Sequence, residues 1–157
     1  NSTEMMLKEV LTLCTGRLEN FGNYDFFKNI QVLTPTKKGP LGTKELNKVL
    51  QQALNPNLEQ LPEKTIGGVI YRISDRIMQI KNNYDITWEK ENNNEYGKPE
   101  IGTGVFNGEM GTILEIDEKE KVVKIKFDDE KIAWYEYTEL EQIEHSYAIT
   151  IHKAQRK

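Results

Sequence analysis

The sequence predicts an α/β layer interrupted by a small all-β barrel, on three observations. A buried-type strand at 29–34 runs through a loop rich in Pro, Gly and Thr into an amphipathic helix. Short alternating strands then recur at roughly ten-residue spacing between Thr112 and Tyr137. Finally, residues 146–151 return to a short apolar strand. A barrel inserted between strands of a parallel sheet produces this order. The expected boundaries are 1–81 and 142–157 for the discontinuous α/β part, 82–103 for a flexible loop or hairpin, and 104–141 for the barrel.

Residues 3–18 read as a helix. Met5, Met6, Val10, Leu11, Leu13 and Cys14 form a broad apolar stripe, Ser2 or Thr3 can cap its start, and Gly16 can end it. Ile30, Val32 and Leu33 are the core positions of the strand at 29–34. Thr43 can cap a helix through about Leu54, with Leu46, Val49, Leu50, Ala53 and Leu54 apolar. Residues 55–68 are a connector rich in Pro, Gly and Asn, and strands are expected at 69–73 and 76–81. Residues 82–104 hold three consecutive asparagines and several glycines, so a long mobile loop is expected, with a hairpin as the alternative; Trp88 and Tyr96 can anchor its ends. Strands are then expected at 112–116, 121–127 and 131–137, with charged turns at 117–120 and 128–130 and a closing turn at 138–143.

The chain has 157 residues, 37% hydrophobic and 29% charged, the profile of an ordinary globular domain. No apolar run approaches the ~20 residues needed to cross a bilayer, and the polar start, Asn1 to Glu4, lacks the pattern of a signal peptide. Cys14 is the only cysteine, which excludes an internal disulfide and a cysteine-rich zinc site. A cytoplasmic setting without a membrane partner is therefore expected. A net charge of −4 argues against broad coating of nucleic acid and leaves room for a narrow track.

The sequence has no phosphate loop of the form G-x-x-x-x-G-K followed by Ser or Thr, no dinucleotide turn and no nucleophile elbow. His145 and His152 are seven apart and lack metal-ligand spacing. Asp128, Asp129 and Glu130 sit between two strands, where a solvated turn is favoured over an ion site. Two segments carry more chemistry. Val32-Leu33-Thr34-Pro35-Thr36-Lys37-Lys38-Gly39-Pro40-Leu41-Gly42-Thr43-Lys44-Glu45-Leu46-Asn47 delivers hydroxyls, lysines and amides to the C-terminal end of a strand. Tyr147-Ala148-Ile149-Thr150-Ile151-His152-Lys153-Ala154-Gln155 does the same at a second strand. Ligands bind at that edge of open α/β sheets, although a strand followed by a solvated loop has the same pattern.

The second segment resembles motif V of superfamily 1 helicases. The first resembles the motif IV region of the exodeoxyribonuclease V alpha-chain and TraA type. Between them, Asp75-Arg76-Ile77-Met78-Gln79, the following Asn82-Asn83-Tyr84, and Val105-Phe106-Asn107-Gly108-Glu109-Met110-Gly111 resemble two further runs of that family, in the same order. The resemblance extends from about Phe27 to Gln155. It implies part of a second RecA-like motor domain, of the P-loop NTPase kind, carrying an inserted SH3-like barrel from about Gly104 to Glu141.

It also implies an ATP-dependent DNA helicase as parent, with ATP and Mg²⁺ as cofactors. The phosphate loop and the acidic magnesium motif belong to a first motor domain that this sequence does not contain. After Gln155 the sequence reads Arg156-Lys157 where the family continues with Gly-Ser-Glu. The expectation is a C-terminal motor fragment that grips single-stranded DNA, lines one side of the ATP cleft and is inactive alone. Its expected partners are the first motor domain of the same polypeptide, single-stranded DNA and nuclease-helicase subunits.

By the same resemblance, Thr34, Thr36, Lys37 and Lys38 lie where motif IV meets DNA phosphates. Thr150, His152 and Lys153 lie near DNA and the ATP cleft, and Gln155 couples the two. Asn107 and Gly108 either let a DNA backbone approach or form a tight turn. Phe106, Trp134 and Tyr135 are candidates for base stacking, at least one of them being barrel core. Lys121, Lys124, Lys126 and Lys131 would form a basic edge, or a solvated face among Glu118, Glu120 and Glu130. His145 is expected to be an ordinary packing or surface residue. The competing reading is a stand-alone module that binds single-stranded DNA or a protein through the barrel.

Overall fold

The computed structural model describes residues 32–34, 42–91 and 97–150. The helix predicted over 3–18 and the start of the strand predicted over 29–34 lie outside them. The chain divides into two compact units, 57–144 and the residues flanking it on both sides.

In the flanking unit, β1 (Val32–Thr34) runs parallel to β11 (Ala148–Thr150), with Val32, Leu33 and Thr34 opposite Ala148, Ile149 and Thr150. The helix α1 (Thr43–Leu54) buries Thr43, Leu46, Asn47, Leu50 and Gln51, the spacing of one helical face. Leu46 and Leu50 pack with Tyr147 and Ala148, and Val32 and Leu54 close the cluster. Burial of each leucine contributes about 1.5–3 kcal/mol. Thr43 is not the cap expected for this helix. Gly42 is extended and its carbonyl accepts the first helical bond, from Leu46 N–H at 3.0 Å, so Thr43 is the first helical residue and is itself buried.

The unit 57–144 is almost all β. A hairpin of β2 (Glu63–Ile66) and β3 (Val69–Arg72) turns through Gly67 and Gly68, both at positive φ. The expected connector over 55–68 therefore contains a strand. The main sheet has seven strands in the order β10-β4-β7-β8-β9-β5-β6. These are β4 (Arg76–Gln79), β5 (Asn83–Lys90), β6 (Glu100–Val105), β7 (Met110–Asp117), β8 (Val122–Phe127), β9 (Ile132–Glu136) and β10 (Ile143–His145). The pairs β4–β7, β7–β8, β8–β9, β9–β5 and β5–β6 are antiparallel. A 3₁₀ helix (Tyr137–Gln142) replaces the closing turn expected over 138–143.

The core collects Ile77, Val105, Ile113, Val123, Ile125 and Tyr135, all fully buried. On β8, Val123, Ile125 and Phe127 point inward and Lys124 and Lys126 are half-buried between them, as the alternation predicts. The tight turn after β7 is fixed by Asp117, whose carboxylate accepts the N–H groups of Lys119 and Glu120 at 3.0 and 2.9 Å.

The mobile loop expected over 82–103 is corrected to its hairpin alternative at both described flanks. β5 and β6 pair from Asn83 opposite Val105 to Lys90 opposite Glu100 and belong to the main sheet. The reason is that Ile86 and Trp88 turn inward while Asp85, Thr87 and Glu89 face out, so a half-buried strand reads as polar. Gly102 lies opposite Trp88, and a side chain there would overlap the indole. Tyr96 is outside the described residues. Among the described residues no helix is long and apolar enough to cross a membrane.

Candidate nucleic-acid interface

The register of β1 and β11 brings two predicted segments together. Thr34 lies opposite Thr150, so the chain leaves both strands at the same end of the pair. Thr150 is buried. Thr36, Lys37 and Lys38 on one side, and His152, Lys153 and Gln155 on the other, lie outside the described residues.

Asn47 holds this edge. Its side-chain amide donates to the carbonyls of Ala148 and His145 at 2.9 and 3.1 Å, and its Oδ1 accepts the Ala148 N–H at 2.8 Å. A helical side chain thus takes the place of a strand partner along the start of β11. His145 stacks on Tyr147 with ring centroids 6.2 Å apart and lies 3.3 Å from the Gln51 amide nitrogen, the packing role expected of it. No role was expected of Asn47, although it closes the run from Val32 to Asn47.

In the unit 57–144, the runs 75–79 and 105–111 build one corner. The turn Phe106-Asn107-Gly108-Glu109 joins β6 to β7. Gly108, at φ +100°, donates its N–H to the Gln79 carbonyl, and the Gln79 N–H donates to the Glu109 carbonyl, both at 2.8 Å. The Glu109 N–H donates to the Phe106 carbonyl at 3.1 Å. The Phe106 N–H donates to Glu109 Oε2 at 2.6 Å, and the Asn107 N–H to Asn82 Oδ1 at 2.9 Å. All four amides of the turn are thereby engaged within the unit. The tight turn is the geometry found at Asn107 and Gly108.

What the corner presents outward is aromatic. Phe106 is 39% exposed and Tyr84 is 68% exposed, and their rings meet edge to face at 5.3 Å between centroids. Phe106 lies across Gly104, which has φ +103°. Tyr84 was not among the expected site residues; it stands at the end of the Asn82-Asn83-Tyr84 run.

The frame beneath the corner is polar and buried. Gln79 is fully buried; its Oε1 accepts the Tyr135 hydroxyl at 2.7 Å, and its amide donates to Lys81 O at 2.9 Å and Gln142 Oε1 at 3.1 Å. Tyr135 is therefore the core member of the aromatic trio, and burial, followed by repulsion from Glu139 and Glu109, pushes its pKa far up. Trp134 is 44% exposed, with Lys124 Nζ 5.5 Å from its ring centre.

Lys131 does not lie on a basic edge. It is 6% exposed and paired with Glu109, with Asp129 at 3.4 Å. Lys124 and Lys126 face Glu115 and Glu130 at 3.8 and 3.0 Å, which is the solvated-face alternative. The acidic turn is likewise accounted for by cations: the buried Arg76 guanidinium forms two bonds to the Asp128 carboxylate, at 2.6 and 2.5 Å. The described residues contain no group of three or more His, Cys, Asp or Glu able to hold a metal.

The chain is similar in sequence to two curated proteins. An uncharacterized protein of Methanocaldococcus jannaschii is 31% identical over 99% of this chain, which spans 13% of that protein. The ATP-dependent RecD2 DNA helicase of Deinococcus radiodurans is 33% identical over 80% of this chain, which spans 14% of the helicase. Among solved structures, unliganded Pif1 from Bacteroides sp. aligns with TM-score 0.41 and 13% identity, over 82% of this chain and 44% of that one. The family model described as the ATP-dependent RecD-like DNA helicase SH3 domain matches residues 46–127, more than half of the sequence, and it is to this family that the chain belongs.

Proposed function

We propose that this chain is part of the second, RecA-like motor domain of an ATP-dependent superfamily 1 DNA helicase, of the exodeoxyribonuclease V alpha-chain kind, and that it contributes grip on single-stranded DNA. The observation that supports the reading is the parallel pairing of Thr34 with Thr150: the strand that precedes Thr36, Lys37 and Lys38 in the sequence and the strand that precedes His152 and Lys153 are paired side by side. Lysines there act as point charges toward phosphates. The amides of Asn107 and Gly108 are engaged, so the corner around them acts through Phe106 and Tyr84, which stack on bases. ATP and Mg²⁺ serve the parent enzyme, with Gln155 coupling nucleotide state to the DNA track. This chain alone lacks the phosphate loop and does not hydrolyse ATP.

The test is fluorescence anisotropy of a labelled single strand of about 15 nucleotides at low salt and at about 200 mM salt, with a duplex control; the salt slope counts phosphates engaged, at about 0.7 each for single strands. Salt-sensitive binding that prefers the single strand is expected. Lys153→Ala should reduce the slope, and Phe106→Ala should weaken binding with the slope unchanged. Failure to bind at either salt refutes unaided grip. The compactness of residues 57–144 favours a second reading, a binding module that works through the barrel alone. Deleting the barrel while keeping Lys37, Lys38 and Lys153 separates the two.

A further inference from the structure

On the barrel, away from the Phe106 corner in character, the outward faces of β5 and β9 enclose a groove of about 420 Å³. Its apolar surface is unusually exposed for side chains of this size: Ile101 on β6 is 69% exposed and Trp134 on β9 is 44% exposed. Around them stand four carboxylates: Asp85 and Glu89 from β5, Glu136 from β9 and Glu139 from the 3₁₀ helix. Among the described residues none of the four makes an ion pair, whereas Glu109, Glu115, Asp128, Asp129 and Glu130 on the same unit all do. No lysine or arginine lines the groove. The nearby Lys90 and Lys124 stand over the indoles of Trp88 and Trp134, at 5.6 and 5.5 Å from the ring centres. Those indole faces thus already attract ammonium groups.

A groove with an apolar floor and an unneutralised acidic rim repels phosphates and suits a cationic polypeptide. We propose that this groove docks a basic segment of a partner protein, one that places an aliphatic or aromatic side chain against Ile101 and Trp134 and sets lysines or arginines among the four carboxylates. The surface is separate in chemistry from the DNA reading: one corner offers aromatic rings to bases, the other offers negative charge to a peptide. The proposal does not depend on the DNA reading.

The probe is a fluorescent peptide of about twelve residues alternating Arg and Leu, titrated with the full chain; a Glu–Leu peptide of the same length is the control. Glu89→Gln with Glu136→Gln removes two rim charges and leaves the Glu136 side chain able to accept the backbone N–H it caps. This pair should weaken Arg–Leu binding by about tenfold, the sum of two modest charge contacts. Glu118→Gln with Glu120→Gln, on the turn after β7 and outside the groove lining, changes net charge equally and should weaken binding less than the rim pair does. Trp134→Ala should weaken binding as well. Equal losses from the two charge pairs would overturn the proposal, since attraction would then follow net charge alone. So would absence of Arg–Leu binding to the unmodified chain.

Discussion

Replacing Glu109 with alanine tests the frame under the Phe106 corner. One carboxylate oxygen pairs with Lys131 and the other accepts the Phe106 N–H. The Lys131 side chain is 8% exposed, and its other carboxylate partner, Asp129, stands at 3.4 Å and is 48% exposed. Glu109→Ala strands a buried ammonium and loses the bond to the turn. Breaking a buried pair from one side costs about 3–5 kcal/mol, and the remaining attraction to Asp129 brings this to about 2–3 kcal/mol.

Lys131→Met is gentler. It leaves Glu109 at 24% side-chain exposure, still bonded to the Phe106 N–H and within reach of water, so a loss of about 1 kcal/mol is expected. Trp88 and Trp134 are the only tryptophans and both lie within 57–144, so fluorescence in urea reports on this unit alone. With a slope of about 1–1.5 kcal/mol per molar urea, Glu109→Ala should lower the midpoint by about 2 M. The double variant should lose less than the two single losses added together. If Lys131→Met proves as damaging as Glu109→Ala, or Glu109→Ala shifts the midpoint by less than about 0.5 M, the charge-burial argument fails.

Other consequences follow from the same geometry. Asn47→Ala removes two hydrogen bonds to Ala148 of β11 and one to His145 and should speed exchange of the Ala148 amide more than tenfold, a loss of about 2 kcal/mol in local opening; unchanged protection would show that the strand pair does not need the clamp. Gly111→Ala sets a methyl 2.6 Å from the Lys126 carbonyl oxygen, a backbone atom that cannot swing away, and should lower Tm through a loss of about 2 kcal/mol or more. Gly108→Ala has open space but a positive φ, and should cost about 1 kcal/mol, so Tm should fall less than for Gly111→Ala. Burial, then repulsion from Glu144 and Asp75, pushes the Tyr71 hydroxyl up to about 12 from 10. The folded state holds that proton more tightly, so its contribution is intact below pH 10 and is lost as pH rises toward about 12. Tyr71→Phe should flatten that part of the alkaline unfolding profile, which a pH series of urea midpoints would record.

The strands with strict alternation were legible because one face of each is buried: Val123, Ile125 and Phe127 announce β8 without any context. β5 was not, since only Ile86 and Trp88 carry its inward face and the asparagines around them outweigh that signal. The site was legible in its letters more than in its physics. Asn47, Gln79 and Tyr84 stood in recognisable runs, yet a sequence cannot say that Asn47 bonds across a hundred residues to Ala148, or that Gln79 meets Tyr135. Lys131 was misread because a lysine among acidic residues looks solvated until the fold encloses it.

The pairing of β1 with β11 joins segments more than a hundred residues apart in the chain. During synthesis β1 emerges before the unit 57–144 and its partner appears only after that whole unit has been made, so the closing step is the slowest kind of contact to form. A barrel that folds first from neighbouring strands would shorten the effective loop and lower that entropy cost. The inserted unit then acts as an internal folding aid, and mutations that delay it should expose the unpaired edge of β1 to aggregation even where the finished structure is unchanged.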